Sequence, residues 1–585
     1  MISSQLPWQA LQPNLSPFPS AFNRSVVGEG ELFSTLQPRL FNALANLENQ
    51  PHLPLLMLRS QENKDALAAI ARAWLSLSDT DVDAENGGWN YQPLADGSYD
   101  LRAATNEAAT FTFQAGVRYA EWIESEQLFG TLRGVGDRLI PEPGLLHEAN
   151  GGALVLSVRT LLAQPLMWLR LKRFLSQGAF EWLSPDERRP LSVSLPPLPL
   201  RVTLILCGDR DALAEFQESE PELMEDALYS EVEEQFRFHD EEDLALWGQW
   251  VRQLAFNHQL PELSDDIWPP LVNEGCRYTG DQSLLPLDPR WITRQLAAAF
   301  GYDGTLSSES LAAALEARQW REGYLSERML EEISEEQVLI ETEGEAIGQV
   351  NGLSVLDFPG HPRPWGEPSR ITCVVHYGDG EVMDIERKAE LGGNLHAKGM
   401  MIIQAYLISE LELEQQLPFT ASMVFEQSYS EVDGDSASLA ELCALVSALS
   451  QQPLTQSVAV TGSVDQFGNV QPVGGLNEKI EGFFAVCSQR GLTGQQGVII
   501  PQSNVRHLSL SNEVMEAVKA EQFSLWAVQS ADEAIALLTG KPWRTESDNN
   551  DDLLSLIQER ILRATQPETP PRRGWLRWLN WFNQN

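Results

Sequence analysis

The chain has 585 residues, enough for about three domains of ordinary size. It carries 83 acidic against 41 basic residues, a net charge of −42. Such a surface repels phosphate backbones, so we expect no nucleic-acid partner. The five cysteines are scattered and form no C-x-x-C pair, which argues against a disulfide framework and a thiolate zinc site and fits a reducing compartment. Without a signal peptide or an apolar run of about 18 residues, the sequence predicts a cytoplasmic protein.

Residues 1–210 have the pattern of an α/β domain. Its buried strands are predicted from three apolar runs: Leu53–Leu58, Ala153–Leu156 and Val202–Cys207. Between them Asp79–Asp100, rich in Gly, Asp and Asn, predicts a surface insertion. Residues 211–336 are acidic and carry apolar residues at three- and four-residue spacing. This spacing predicts a helical subdomain with helices over Leu223–Glu234, Glu241–Phe256 and Ser307–Glu332.

Residues 346–541 form a second predicted α/β domain. Alternating segments predict strands over Arg370–His376, Ser457–Val464 and Gly497–Ile500. Segments with one apolar face predict helices over His396–Leu413, Ser436–Ser450 and Lys479–Ser488.

Residues 546–585 read as a linker and a C-terminal tail rich in Trp and Arg. Trp575, Trp578, Leu579 and Phe582 fall on one helical face. Three interpretations stay open for this face: docking onto the protein itself or a neighbouring subunit, contact with a membrane surface, or a recognition tag.

The most informative segment surrounds Ser436. Gly434 permits a tight turn, and Asp435, Ala437 and Ser438 leave space around the hydroxyl of Ser436. An apolar stripe follows, so we expect Ser436 at a helix N-terminus, where backbone N–H groups can stabilise an oxyanion. A plain capping serine is the alternative.

Lys479 lies 43 residues further on, among apolar neighbours at the start of a predicted helix. Burial would lower its pKa, and a neutral amine can take the proton of a serine hydroxyl. A surface lysine is the alternative. Two histidines, His376 and His396, lie in the same predicted domain, so a Ser-His arrangement also stays open.

Three motifs together resemble the proteolytic domain of the Lon protease family. They are Gly434 to Ser438 (GDSAS), Thr461 to Val464 (TGSV) and Pro472 to Lys479 (PVGGLNEK). Further segments resemble the Lon-like branch related to archaeal-type and ATP-independent enzymes: Gln349 to Leu353, Ser369 to Ile371 and His396 to Gly399. The likeness covers residues 346–541 and implies a Ser-Lys dyad.

Carried over by motif, Ser436 is the expected nucleophile and Lys479 its general base. The resemblance places Thr461 where the family has a hydroxyl that hydrogen-bonds the lysine amine. Asp435 is a candidate for shaping the site. Glu426 is a candidate for a role in the substrate groove. The resemblance also implies an AAA+ ATPase region before the protease domain and assembly as a homohexamer.

The nucleotide site of that ATPase region is expected to be degenerate. The segment that follows the first strand has no glycine; Lys64 stands near the P-loop lysine position, and Asp65 replaces its Ser or Thr. Glu62 adds a negative charge where phosphates would lie. In the second motif, Ser157 and Val158 replace the acids that hold Mg²⁺. We therefore expect no cofactor and no metal.

The sequence thus predicts a serine endopeptidase that hydrolyses unfolded proteins without ATP hydrolysis. Two alternatives remain. One is an ATP-dependent Lon protease with an atypical nucleotide site. The other is a non-enzymatic scaffold that holds unfolded chains, which an intact dyad argues against.

Overall fold

The computed structural model describes residues 4–23, 27–49, 55–77, 88–104, 109–113, 116–135, 138–184, 188–377, 380, 382–389, 391–412, 417–428, 434–545 and 551–565. The tail residues Trp575, Trp578 and Phe582 lie outside this part. The chain divides into two compact units. One comprises Ser16–Leu271 and Leu284–Ala313; the other comprises Met1–Leu15, Val272–Ser283 and Ala314–Asn585. We call them the first unit and the second unit.

A five-stranded parallel sheet forms the centre of the first unit. Its spatial order is Leu228–Glu231, Leu55–Arg59, Thr203–Gly208, Ala153–Ser157 and Val117–Ala120. The three predicted buried strands are therefore present. Their continuous apolar runs fit a parallel sheet, because both faces of its strands are covered.

Several helices accompany this sheet. They are Glu29–Leu36, Pro38–Asn49, Lys64–Leu77, Ser125–Phe129, Leu145–Glu148, Val158–Ala163, Pro165–Gln177, Arg210–Ser219, Leu223–Asp226, Glu241–Asn257, Trp268–Thr279, Pro289–Asp303 and Ser308–Glu322. Two of these helices, Trp268–Thr279 and Ser308–Glu322, begin in the residue range of the first unit and end in that of the second. Paired strands outside the central sheet are Trp89–Pro93 with Tyr99–Ala103, Thr131–Val135 with Arg138–Glu142, Ala179–Phe180 with Leu198–Pro199, and Gln235–Arg237 with Leu284–Pro286.

Two helix predictions in this region are wrong. The expected helix over Leu223–Glu234 ends at Asp226, and Leu228–Glu231 instead pairs in parallel with the strand Leu55–Arg59. Pairing with the edge of the sheet outweighs local helix propensity there. The expected helix over Ser307–Glu332 is broken at Gly323 into Ser308–Glu322 and Tyr324–Ser334. The predicted helix over Glu241–Phe256 is confirmed as Glu241–Asn257.

A seven-stranded mixed sheet forms the centre of the second unit. Its spatial order is Val382–Asp384, Phe419–Phe425, Trp365–Tyr377, Gln349–Leu356, Val458–Val460, Gly497–Pro501 and Ser524–Val528. Two short strand pairs lie outside it: Glu345–Ala346 with Leu454–Thr455, and Ser463–Val464 with Val470–Gln471. The strand predicted over Ser457–Val464 is therefore interrupted at Thr461 and Gly462.

Three helices of the second unit carry the residues of interest. We call Asn394–Glu410 the histidine helix, Ser438–Ser450 the serine helix and Leu476–Arg490 the lysine helix. Every residue of the serine helix is buried, as expected for a helix at the centre of a core. The other helices of this unit beyond Tyr324–Ser334 are Ile385–Lys388, Asn512–Lys519, Ala531–Thr539 and Leu553–Thr565. Among the described helices, none has both the length and the apolar character needed to cross a bilayer.

Candidate active site

The lysine helix packs closely against the strand Trp365–Tyr377. A Cβ atom on Gly366 would lie 1.9 Å from the carbonyl oxygen of Glu478, and one on Gly482 would lie 2.2 Å from the carbonyl oxygen of Gly366. Only glycine permits so close an approach of two backbones. This packing fixes the first turn of the lysine helix, which carries Lys479.

Lys479 and Ser436 are hydrogen-bonded to each other. Lys479 Nζ lies 2.9 Å from Ser436 Oγ and 3.3 Å from Thr461 Oγ1. The side chain of Lys479 is almost wholly buried, at 3% exposure, and Thr461 is fully buried. The structure therefore brings together the three residues that the motifs singled out.

Burial sets the protonation of the lysine. Desolvation lowers the pKa of Lys479 from its ordinary 10.5 to about 8, although the negative charge of Asp435 opposes this change. An amine with such a pKa is partly neutral near pH 8 and can accept a proton. A surface lysine, the alternative that the sequence left open, does not fit this burial.

The backbone around Ser436 is held by the turn that precedes the short strand Ser463–Val464. Gly462 N donates to Ser436 O at 2.9 Å, and Thr461 Oγ1 lies 3.4 Å from the same carbonyl oxygen. Ser438 Oγ accepts a hydrogen bond from Val464 N at 3.0 Å. These bonds fix the nucleophile candidate to the segment that carries Thr461.

Ser436 lies two residues before the first residue of the serine helix, not at its first turn. Ser438 N donates to Asp435 O and Leu439 N donates to Gly462 O, each at 3.1 Å. These two N–H groups are therefore occupied and do not face an oxyanion. The N–H groups of Ser436 and Ala437 make no hydrogen bond with another described residue.

The remaining candidates occupy other positions. Glu426 Oε1 accepts a hydrogen bond from Thr372 Oγ1 at 2.8 Å, and Glu426 N donates to Arg370 O. Asp435 acts on Lys479 through its charge, and its role in shaping the site stays a prediction. His376 is exposed on its strand, and the ring nitrogens of His396 face Asp384 and Glu441. Among the described residues, neither histidine is hydrogen-bonded to Ser436.

In the first unit, Glu62, Lys64 and Ser157 of the expected nucleotide site line an open cleft of about 910 Å³ at the carboxyl ends of the central strands, whereas Asp65 and the buried Val158 do not line it. Glu62 lies inside it and accepts hydrogen bonds from Ser157 Oγ, from Arg159 N at 3.1 Å and from Arg159 Nε at 3.0 Å. Arg159 also pairs with Asp209. An internal carboxylate thus takes the partners that a phosphate would need. Arg159 was not identified from the sequence.

Lys64 and Asp65 follow Glu62 in the chain and make other contacts. Lys64 is exposed, and its backbone N–H donates to Glu121 Oε2 at 3.1 Å. Asp65 Oδ1 lies 3.3 Å from His258 Nε2.

Family models match a part of each unit. The family model described as "LonB-like, AAA domain" matches residues 122–227, and that of the "Lon protease (S16) C-terminal proteolytic domain" matches residues 428–539. A protein of Escherichia coli (strain K12) named "Putative Lon protease homolog" is 52% identical over the whole of both chains. This chain belongs to the Lon protease family.

More distant members of the Lon family show the same likeness. A protein of the same name from Haemophilus influenzae is 40% identical and covers 96% of this chain and 94% of its own. The archaeal Lon protease of Pyrococcus abyssi is 27% identical over 72% of this chain and 40% of its own. The match to the S16 domain identifies a domain of the serine peptidase class, and its range includes Ser436, Thr461 and Lys479.

Proposed function

We propose that this Lon-family protein is an endopeptidase that uses Ser436 and Lys479 as a catalytic dyad. The observation that carries the proposal is the 2.9 Å contact between Lys479 Nζ and Ser436 Oγ, made by an amine whose pKa burial lowers to about 8. The contact between Nζ and Oγ suits both protonation states of Lys479. A charged amine donates a hydrogen bond to Ser436 Oγ, and a neutral amine can accept the proton of the serine hydroxyl.

In the proposed reaction, neutral Lys479 takes the proton of Ser436 as Oγ attacks a peptide carbonyl carbon. The lysine then gives this proton to the leaving amine, the C–N bond breaks, and an acyl-enzyme forms. Water enters, loses a proton to Lys479 and attacks the ester. Collapse of the tetrahedral intermediate formed by this attack releases the carboxylic acid product, and Lys479 returns the proton to Ser436 Oγ.

Two further groups support this chemistry. Thr461 Oγ1 accepts a hydrogen bond from Lys479 Nζ at 3.3 Å. This bond orients the lone pair of the neutral lysine amine toward the hydroxyl of Ser436. The N–H groups of Ser436 and Ala437 are the candidates for holding the oxyanion, because those of Ser438 and Leu439 are already occupied.

The protein would act without ATP hydrolysis. Glu62 and its partners Ser157 and Arg159 support this part of the proposal, because they fill the place of a phosphate with a carboxylate. A triphosphate entering the cleft would meet this like charge.

The remaining parts of the proposal concern substrates and assembly. Without a working motor, the substrates would be unfolded proteins, cleaved in the cytoplasm by a homohexamer that encloses the Ser436 sites. The tail residues Trp575, Trp578 and Phe582 would dock on the protein or on a membrane surface.

Hydrolysis of an unfolded protein such as casein tests the dyad. We expect Ser436→Ala and Lys479→Ala each to lower the rate at least about 10³-fold, since the two side chains act as one unit. Ser488→Ala and Lys519→Ala, both at exposed positions in the same domain, serve as matched controls and should retain the wild-type rate.

The same variants separate the proposal from its alternative, a scaffold that only holds unfolded chains. A scaffold would bind casein equally well in wild type and in Ser436→Ala, and neither would produce peptides. Release of new amino termini by the wild type alone supports the dyad.

A further inference from the structure

A second cluster of ionisable side chains lies in the core of the second unit, outside the Ser436 site. Asp384, Glu386 and His396 each offer one ligand atom, and these atoms lie within 4.8 Å of one another. The three side chains come from different places: the end of the strand Val382–Asp384, the short helix that follows it, and the histidine helix. All are buried, at 8%, 4% and 2% exposure.

Asp384 and Glu386 each accept a backbone hydrogen bond through one carboxylate oxygen, and the second oxygen of each accepts none of these bonds. Asp384 Oδ1 caps the short helix by accepting from Arg387 N at 3.3 Å, and Glu386 Oε1 accepts from Phe425 N at 2.7 Å. Asp384 Oδ2, Glu386 Oε2 and His396 Nε2 are buried and have no assigned hydrogen bond among the described residues. Asp384 Oδ2 lies 3.3 Å from His396 Nε2.

A fourth residue lies on the other side of the imidazole. Glu441, 1% exposed on the serine helix, has Oε1 3.7 Å from His396 Nδ1. At 3.7 Å the carboxylate of Glu441 is beyond hydrogen-bond distance of the ring, but it lies on the side from which carboxylates usually orient a ligating histidine and leaves the opposite nitrogen free to bind.

The surroundings of the cluster also favour a cation. Three carboxylates and one histidine are buried together, and among the described residues no lysine or arginine pairs with them. Unpaired buried carboxylates are costly, and a divalent cation between them removes that cost.

We propose that Asp384, Glu386 and His396 bind a divalent transition-metal ion such as Zn²⁺ or Mn²⁺, with Glu441 orienting the histidine. The mixed set of one imidazole nitrogen and two carboxylate oxygens selects these ions over Mg²⁺ and Ca²⁺, which prefer oxygen ligands alone. With bonds of about 2.1 Å, tetrahedral ligand atoms lie roughly 3.4 Å apart, close to the contact between Asp384 and His396. This proposal departs from the expectation from sequence that no metal is bound.

The ion has a structural role next to the dyad. It ties the histidine helix to Asp384 and Glu386, and through Glu441 it reaches the helix that follows Ser436. Gly399 of the histidine helix lies against Asp435, since a Cβ atom there would be 3.5 Å from the Asp435 side chain. Loss of the ion would therefore loosen the segment that carries the nucleophile candidate.

Titration of the full chain with metal tests the site. Untagged protein is stripped with a chelator, dialysed, and titrated with ZnCl₂ or MnCl₂ in a calorimeter over a background of excess Mg²⁺, which occupies exposed acids. We expect one tight site per chain and a rise in melting temperature on loading. Glu386→Gln keeps the bond from Phe425 N and should weaken binding at least about tenfold.

Glu513→Gln is the matched control, because it removes one exposed carboxylate from the same domain and should leave affinity unchanged. Ser436→Ala should bind the ion as the wild type does. Failure of the proposed protease function would therefore leave this result intact.

Two results would overturn the site. One is a wild type that binds no ion in the titration, which would mean that a proton on His396 alone holds the carboxylates. The other is equal affinity in Glu386→Gln and wild type. If that variant does not fold, anomalous diffraction from zinc-loaded wild-type crystals decides the matter: a peak between the three side chains supports the site, and its absence refutes it.

Discussion

Glu62 and Arg159 form an ion pair inside the cleft of the first unit, with Arg159 Nε 3.0 Å from Glu62 Oε1. The pair lies among the segments where the sequence predicts a degenerate nucleotide site. Ser157 donates to the same carboxylate from the end of the strand where the ATPase motif would have an acid. Glu62 thereby links the two sequence motifs that are predicted to have lost their nucleotide chemistry.

This pair predicts that ATP does not drive proteolysis. We expect casein hydrolysis by the wild type to change less than about twofold on addition of ATP and Mg²⁺, because Glu62 already engages the side chains of Ser157 and Arg159 in the cleft. A non-hydrolysable analogue serves as the control. Strong stimulation by ATP that the analogue does not reproduce would establish the ATP-dependent alternative.

The pKa of Lys479 predicts the pH dependence of hydrolysis. Only the neutral amine can act as the base, and burial lowers its pKa to about 8. We therefore expect kcat/KM for a peptide substrate to rise about tenfold per pH unit below pH 8 and to level off above it. A profile that is flat between pH 6.5 and 9 would rule out Lys479 as the base.

The same pKa predicts a pH-dependent stability. The folded-state pKa, about 8, is lower than the ordinary 10.5, so between these values the unfolded chain binds more protons and stability rises with pH. Below pH 8 the buried charge costs up to ~3 kcal/mol. Lys479→Met should therefore gain melting temperature over wild type at pH 7 and lose this advantage toward pH 10. Exposed Lys519→Met should show no such trend.

Thr461 provides a test of how the lysine is oriented. Thr461→Val keeps the shape of the side chain but removes the oxygen that lies 3.3 Å from Lys479 Nζ. We expect kcat to fall about tenfold, equivalent to roughly 1.4 kcal/mol, with little change in KM. Thr461→Ser retains the hydroxyl and should stay within about threefold of wild type. Equal losses in both variants would indicate a packing role only.

The proposed ring predicts the size of the protein in solution. Sedimentation at micromolar concentration should give six times the chain mass of 65.3 kDa. A monomer would contradict the ring. Truncation after Pro571, which removes Trp575, Trp578 and Phe582, tests the tail: loss of liposome binding supports a membrane contact, and loss of the hexamer supports docking between subunits.

The sequence by itself determined the family, the α/β character of both units and the identity of Ser436, Thr461 and Lys479 as candidates. These follow from local signals, because glycine-rich motifs and apolar periodicity are written in adjacent residues. The strand Leu228–Glu231 escaped this reasoning, since its conformation is set by a partner strand more than 150 residues away in the chain.

Only the tertiary structure decided which side chains meet. It joined Lys479 to Ser436 and set the burial that lowers the lysine pKa, because desolvation depends on packing from every direction. It also paired Glu62 with Arg159 in the cleft of the first unit, and it gathered Asp384, Glu386 and His396 around one point. Glu62 and Ser157 are 95 residues apart in the chain, so no local pattern records their contact. Asp384, Glu386 and His396 are close in sequence, but packing of the strand and the two helices that carry them decides that their side chains meet.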